Sequence, residues 1–453
     1  MPLLSKVLSD LDIEVTRQEG VEPVLRCLDE SKHQLSGCFG EQLRLEIAGK
    51  LLALKVQNLC LSKYHFLARD VSLLSKPYGL ILDPVNSCNL ACPGCVHSSN
   101  SQELHWFDWQ GGMLSEDRFD AFLRQYGPFA LQMALYNYGE PLINPNTPKF
   151  IRKAKSYLMR TTLSTNLAVK RFDAGAYARS GLDFMTLSID GATQGVYEKF
   201  RKKGNLEVVF QNIQSLVEAR RKEGRNSPVL NWQFLAFEHN AHEIEQALEL
   251  ARSLGVDQFT VAPPFDVSWD DPKIRPAAVP AKTHVFHADW NRRMVENWNP
   301  FPGDIDVQEV ERLFESRWID RLTPEHRKAV AGPKPFQHTC HYLYKNMVMD
   351  ANSRVFPCCA APRPDADLLF AIFDAGTKEA FNAEKYQLAR MSFADKAAYR
   401  AARSATLDTE PYCVKCEWYG AQITAHIDRA EMRKYMEASA VFDSRSAGIL
   451  LSW

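Results

Sequence analysis

No stretch of this sequence comes near the roughly 20 consecutive apolar residues that a membrane-spanning helix needs. The first residues, MPLLSKVLSDLDIEV, lack the basic start, unbroken apolar segment and small-residue cleavage site of a secretion signal. Neither sign of charge dominates. Against 54 Lys and Arg stand 55 Asp and Glu, a net of −1, so no global field steers the chain to nucleic acid or an anionic membrane. Internal repeats and low-complexity tracts are missing too. These absences leave cytoplasmic residence, with no membrane or nucleic-acid partner, as the expectation.

What is present is cysteine. In a reducing compartment the 11 cysteines are expected to stay thiols, so clusters of them read as metal ligands or catalysts rather than disulfides. Cys27, Cys38 and Cys60 are scattered through helical-looking sequence and read as buried apolar thiols. The other eight form two groups: Cys88, Cys92 and Cys95, then Cys340, Cys358, Cys359, Cys413 and Cys416.

At 453 residues the chain has room for two or three domains. Residues 1–77 carry helical patterns such as EQLRLEIAGKLLALKVQNLCL and read as an N-terminal helical extension that stops at Lys76-Pro77. From Tyr78 short apolar runs alternate with amphipathic segments. Strands are expected at 78–83, 131–138, 161–165, 184–190, 229–237 and 258–263, with helices near 115–126, 147–159, 171–179, 206–222 and 242–254. That alternation implies an α/β fold with a parallel sheet whose functional groups sit at the C-terminal strand ends. Six strands are too few for a closed eight-stranded barrel, so residues 78–263 read as an open, partial (β/α)6 barrel of TIM type. Residues 264–335, rich in Pro and Trp, read as a connector with some helix. Residues 336–453 read as a small C-terminal domain. It has a β-like piece, NMVMDANSRVFPCC, a helical stretch near 377–404, a CVKC pair and a last helix near 421–438.

The loop NSCNLACPGCVHSSN directly follows the first strand and places Cys88, Cys92 and Cys95 at the barrel mouth. Asn89, Pro93 and Gly94 permit a tight wrap. Three thiolates on one loop suit a [4Fe–4S] cube that keeps one iron open. A zinc site completed by His97 is the alternative.

The spacing CxxxCxxC resembles the hallmark of the radical S-adenosylmethionine (SAM) superfamily, and the resemblance extends over roughly residues 78–430. It implies that the open iron chelates SAM and that one electron cleaves SAM to methionine and a 5′-deoxyadenosyl radical that abstracts hydrogen. The electron donor it implies is a flavodoxin- or ferredoxin-type protein. Gly94 stands where the family often has an aromatic residue near the adenine, so this loop is assigned no adenine contact. YNYGEPL, with Gly139, Glu140 and Pro141, resembles the GGEP motif that meets the SAM amino group, Tyr138 replacing its first glycine. Ser164, Thr165 and Asn166 end the third strand, where the family meets the SAM ribose or carboxylate. Ser188 and Asp190 end the fourth, and Arg201 beyond them offers a guanidinium to a carboxylate.

DANSRVFPCC and EPYCVKCEW resemble the SPASM/Twitch extension of the same superfamily. No cysteine follows Cys416, which matches the shorter Twitch pattern with one auxiliary [4Fe–4S] cluster held by Cys340, Cys358, Cys413 and Cys416. Cys359 is a substitute for Cys358, and a four-cysteine zinc site fits the same spacing. His239, Asn240, His242 and Glu243 follow the fifth strand; His239 and His242 are candidate substrate contacts at the barrel mouth, and helix entry and capping explain the stretch as well. Trp269, Trp290, Trp298 and Trp318 read as packing residues, and His338 and His341 flank Cys340.

The resulting expectation is a radical SAM enzyme that oxidises or epimerises a small polar metabolite, such as a sugar, a cyclitol or a nucleotide-linked compound. The rivals are a maturase acting on a ribosomally made peptide and a non-catalytic zinc or iron–sulfur scaffold. Residues 1–77 show no three-strand-plus-helix pattern of a peptide-recognition module, which favours the small metabolite.

Overall fold

The computed structural model describes residues 70–98, 111–264, 273–287, 342–359, 371–374 and 380–406, together with Lys55, Asn58, Ser62, His65, Phe66, Cys340 and Cys413. Most of the N-terminal extension and of the connector lie outside the described residues, with Cys27, Cys38, Cys60, Cys416, His338, His341, the four connector tryptophans and the helix near 421–438.

Six parallel strands follow one another in sequence order: β1 (Gly79–Leu82), β2 (Gln132–Ala134), β3 (Arg160–Thr165), β4 (Phe184–Ser188), β5 (Val229–Leu235) and β6 (Gln258–Ala262). Between them run α1 (Glu116–Tyr126), α2 (Thr147–Ser156), α3 (Ala174–Arg179), α4 (Gln194–Phe200), α5 (Leu206–Lys222) and α6 (Ile244–Ser253). Each strand and helix expected over residues 78–263 is present. The short α4 was not foreseen, because VYEKF reads as loop beside the longer α5.

Local chemistry starts these helices. Ser115, Asp173 and Asn205 accept hydrogen bonds from the backbone N–H groups of Arg118, Ala176 and Val208, which helix geometry leaves without an internal acceptor. On α5, Leu206, Val209, Ile213 and Leu216 recur at helical spacing and are buried together. They share one core with Leu163, Met185, Leu187, Trp232 and Phe259 of the sheet. Each such side chain contributes about 1.5–3 kcal/mol on burial.

The sheet has ten strands rather than six. The edges of a six-stranded sheet would expose rows of unpaired N–H and C=O groups. One edge is covered by β7 (Lys282–Val285), antiparallel to β6 and contributed by the connector. The other is covered by the chain after α7 (Tyr342–Lys345). There β8 (Asn346–Met349) lies parallel to β1, and β9 (Arg354–Phe356) and β10 (Ala371–Ile372) follow antiparallel. The sheet is open, running from β10 to β7. The NMVMDANSRVF segment is therefore a hairpin added to the barrel sheet. Its turn is closed by Asp350, whose carboxylate accepts from the N–H groups of Asn352 and Arg354.

Downstream, the expected helical stretch divides into α8 (Glu384–Ala394) and α9 (Lys396–Thr406) at Asp395, which leaves helical geometry and caps the second piece through the N–H groups of Ala397 and Ala398. Among the described residues no helix is long and apolar enough to cross a membrane.

β2 ends at Ala134, four residues earlier than expected. The N–H groups of Asn137, Tyr138 and Gly139 point instead to the carboxylate of Asp83, just past β1, at 2.7–3.2 Å. Three donors on one carboxylate replace three ladder bonds and turn the chain into a loop.

Asn86 joins the cysteine loop to β8. Its side-chain amide donates to Asp350 at 3.1 Å and accepts from the Ala351 N–H at 2.9 Å, and the residue is buried. Asn86→Ala strands that N–H away from water, so urea unfolding should show a loss of about 1–3 kcal/mol. An unchanged midpoint would mean that the hairpin docks without this link.

Candidate active site

The cysteine loop lies across the C-terminal ends of the parallel strands. It is tightened by bonds from the Cys95 N–H to the Cys92 carbonyl (3.2 Å) and from the Ser98 N–H to the Cys95 carbonyl (2.8 Å). Gly94 adopts φ +72°, a conformation that L side chains resist. Cys92 packs with Leu90, Phe200, Phe237 and Ile274, and Cys88 and Cys95 adjoin that cluster. All three are free thiols. Burial pushes the Cys88 thiol up to about 12, with Glu140 adding to the shift, and Cys92 up to about 11, although Arg201 pulls the other way. Burial raises Cys95 as well. Thiolates become favourable in such a place when a bound cationic group compensates them.

The donor set fits an iron–sulfur cluster: three free thiols on one tight loop, with a hydrophobic wall on one side. Among the described residues no group of three or more His, Cys, Asp or Glu is gathered closely enough for a single ion. His97 places Nε2 3.0 Å from the carbonyl of Tyr138, and burial lowers its pKa.

Gly139 sits against the backbone, where an added Cβ would come within 1.7 Å of the Val85 carbonyl oxygen. Only glycine permits that approach. The next N–H, of Glu140, donates to the Ser87 carbonyl at 2.9 Å and so ties this loop to the cysteine loop. The Glu140 carboxylate points inward. It accepts from the Leu142 N–H (3.1 Å), the Thr165 hydroxyl (2.5 Å) and the Asn166 N–H (2.8 Å). Both oxygens are thus engaged inside the protein. Pro141 opens a 3₁₀ turn, Pro141–Ile143.

Asn166, held by Glu140, directs its amide to Asn89 Oδ1 at 3.1 Å and to Cys88 Sγ at 3.6 Å. Ser164 and Ser188 bring their hydroxyls to 3.2 Å across adjacent strands. Arg201 Nε meets Asp190 at 2.6 Å, and its Nη1 lies 4.0 Å from Cys92 Sγ, with the guanidinium over the Phe200 ring. Asp190 is fully buried and also accepts from the Leu235 N–H. Arg201 therefore has a carboxylate partner within the chain and reaches the cysteine loop as well.

Past β5, Asn240 bonds the Asp190 and Leu235 carbonyls, and Glu243 accepts from the N–H groups of Ala192 and Thr193. Both are structural fasteners rather than substrate contacts. His239 stacks on Phe237 at 5.5 Å. Asp83 and Phe200 escaped the sequence reading, and Asn89 was read only for its turn propensity. The one available signal was the acid closing YGLILD, a carboxylate at a strand end.

Among the second cysteines, Cys340 and Cys358 are half-buried, Cys413 is buried and Cys359 is exposed. Burial and then the thiols of Cys359, Cys358 and Cys340 raise the Tyr342 phenol, so these groups are close together. Tyr138 links the two sets. Its hydroxyl donates to the Cys359 carbonyl at 3.3 Å, and its phenol is raised by burial, then by Cys358, Cys359, Asp83 and Cys95.

Burial pushes Glu140 up to about 7 against the hydrogen bonds that favour its charge. The neutral form therefore contributes stability that is complete below the unfolded value, near 4.3, and disappears as pH rises through about 7. Urea unfolding between pH 4 and 8 should show Glu140→Gln losing up to one proton of that slope. Parallel profiles for wild type and variant would contradict the raised value.

Residues 82–251 match the Radical SAM superfamily. A probable GTP 3′,8-cyclase of Methanococcus maripaludis is 25% identical over 169 residues, covering 37% of this chain and 53% of the relative. A probable GTP 3′,8-cyclase of Methanocaldococcus jannaschii is 22% identical over 174 residues, covering 38% and 53%. The chain thus spans about half the length of these curated relatives. Among solved structures, Streptococcus suis SuiB bound to S-adenosylmethionine has a TM-score of 0.41 at 14% identity, covering 84% of this chain and 77% of that one. BtrN in complex with AdoMet and 2-DOIA has a TM-score of 0.36 at 12% identity, covering 76% and 94%. The cysteine loop, the Gly139-Glu140-Pro141 turn and the ends of β3 and β4 all fall within the segment, residues 82–251, that is similar to the Radical SAM superfamily.

Proposed function

We propose that this protein is a radical SAM enzyme that oxidises or epimerises a small polar metabolite. Cys88, Cys92 and Cys95 would hold the SAM-binding [4Fe–4S] cluster. Tyr138, Gly139, Pro141, Ser164, Asn166, Ser188 and Arg201 would surround SAM, with Glu140 and Asp190 orienting them from behind. When bound, the reduced cluster supplies the electron that converts SAM to methionine and a 5′-deoxyadenosyl radical. The observation that carries the reading is the joining of separate strand ends around one cysteine loop. The Glu140 N–H reaches Ser87, Asn166 reaches Asn89 and Cys88, and Arg201 reaches Cys92.

The chain's own residues orient and exclude. Asp83 fixes the loop backbone that faces SAM. Glu140 sets the Asn166 amide toward the cysteine loop. Asp190 holds Arg201 with its remaining nitrogens available for a carboxylate. Leu90, Phe200, Phe237 and Ile274 keep water from one side of the thiols, which limits loss of a radical to solvent. A small substrate is supported by the activity named for the curated relatives, which concerns a nucleotide. Cys340, Cys358, Cys413 and Cys416 would complete a Twitch-type auxiliary cluster with no open iron, suited to structure or electron transfer. The external electron would come from a flavodoxin- or ferredoxin-type partner.

Cys95→Ala should abolish dithionite-driven 5′-deoxyadenosine formation while circular dichroism stays native, because the loop lies outside the sheet. Undiminished product would end the assignment. Changing Cys88, Cys92 and Cys95 together should leave about four irons per chain, a full cube on the remaining thiolates. SAM should not perturb the electron paramagnetic resonance spectrum of this remnant. Zinc, or no metal, in that variant would remove the auxiliary cluster.

A further inference from the structure

The middle of α8 holds a buried charge without a counter-charge. Arg390 is fully buried. Its Nε donates to the Leu343 carbonyl at 3.0 Å, and its Nη1 to the Val71 carbonyl at 3.2 Å and Asn382 Oδ1 at 3.1 Å. Its Nη2 donates to the Phe381 carbonyl at 2.7 Å. The guanidinium lies 4.8, 5.2 and 5.7 Å from the ring centroids of Phe381, Tyr386 and Tyr344. Every one of these partners is neutral. Among the described residues no carboxylate pairs with Arg390, whereas Arg201 and Arg220 meet Asp190 and Asp257 at 2.6 and 2.5 Å. Burial lowers Arg390 to about 10, so it is still charged at neutral pH. A buried charge is expensive unless an opposite one compensates it.

The surroundings of Arg390 belong to the second cysteine group. Leu343, whose carbonyl accepts from Nε, donates its own N–H to the Cys340 carbonyl at 3.3 Å. Tyr386 lies one turn earlier on α8. Its hydroxyl donates at 2.8 Å to the carbonyl of Phe356, on the strand that leads into Cys358. Cys413 is buried in the same core, near enough for its charge to act on both Arg390 and Tyr386. Besides that thiol, the acidic groups whose charge reaches Arg390 are the phenols of Tyr344 and Tyr386. Phenols are neutral at pH 7. Cys413 is therefore the group there that can supply a negative charge, and a neighbouring guanidinium favours the thiolate form that a metal needs.

We infer that Arg390 is the counter-charge of an anionic, thiolate-ligated metal centre held by Cys340, Cys358 and Cys413, and that it governs the affinity and redox potential of that centre. The inference rests on the auxiliary-cluster reading and adds the residue that controls it. Thiolates outweigh the positive charge of the iron–sulfur core or zinc ion they hold, so the centre is net negative in either case. Reduction of a cluster adds a further negative charge, which a nearby cation favours. Arg390 is a positioning residue: it acts through its charge and through the backbone of Leu343, and touches no substrate.

The test uses the full chain with Cys88, Cys92 and Cys95 all changed to Ala and reconstituted anaerobically with iron and sulfide, so that metal binds at the second group alone. Arg390→Gln in this parent should lose metal to a chelator roughly 10-fold faster, the loss of one charge-assisted contact. With iron bound, its midpoint potential should move about 59 mV in the negative direction, a tenfold change for a one-electron couple. Arg390→Lys keeps the charge and gives up the forked hydrogen bonds, so it should recover most of both properties. A purely structural fastener predicts the reverse, two equally impaired variants and an unmoved potential. If Arg390→Gln does not fold, Arg390→Lys decides by itself: metal retention and potential near those of the parent support the counter-charge, and a tenfold loss of retention rejects it. Parent-like retention and potential in a folded Arg390→Gln would overturn the inference, as would an Arg390→Lys as impaired as Arg390→Gln. Zinc in place of iron would end the cluster reading alone, and the retention ratio of the variants then decides the counter-charge. A parent that binds no metal would overturn both.

Discussion

The carboxylate of Asp83 is the fastening on which the candidate site depends. At the C-terminal end of a parallel strand the departing chain loses its ladder partners, and its N–H groups need new acceptors. Asp83 supplies one acceptor for three consecutive donors, of Asn137, Tyr138 and Gly139, and so shapes the loop that meets the cysteines. The device recurs around the rim. Glu140 collects the N–H groups of Leu142 and Asn166, Asp190 that of Leu235, Glu243 those of Ala192 and Thr193, and Asp350 those of Asn352 and Arg354. Asp83, Asp190 and Glu243 tie down backbone belonging to another turn, Glu140 does so through Asn166, and Asp350 closes its own hairpin.

Burying carboxylates is costly, and the cost is visible in Asp83, which burial pushes up to about 7 with Asp350 adding to it. Hydrogen bonds from several N–H groups offset part of that penalty. What results is a rigid rim in which the groups facing the thiols are mostly backbone, small polar side chains and one guanidinium. Such preorganisation matters where a reactive intermediate must meet one hydrogen and nothing else. Polarity at the strand ends and along the inner face is tolerated because the helix-facing side supplies an uninterrupted apolar core.

The two cysteine groups are distant in sequence and near in space for a topological reason. β8 joins the sheet beside β1, the strand that carries the first cysteine loop, so the hairpin bearing Cys358 and Cys359 emerges next to it. Tyr138, standing where the resembled motif has its first glycine, reaches across and donates its hydroxyl to the Cys359 carbonyl. A glycine could not make that link.

Much of the fold was legible because its signals are local. Strand and helix alternation from β1 to β6 and the cysteine spacing depend on neighbours in sequence. The alternating polar face of TTLST, FMTLS and LNWQF was also present in the letters, but it acquires meaning only once the strands are known to be parallel and central. Chain order alone could not show that Glu140 faces inward, that Asp190 pairs with Arg201, that Asp83 rather than a neighbouring strand receives the loop amides, or that the sheet gains β7 and β8. Those outcomes depend on which backbone donors and buried charges meet after the strands have packed. By itself the sequence determined the element order and the gathering of three cysteines on one loop after β1. Tertiary structure decided which polar groups are consumed inside the protein and which stay at the strand ends beside the cysteine loop, because burial and partner geometry exist only in the folded chain.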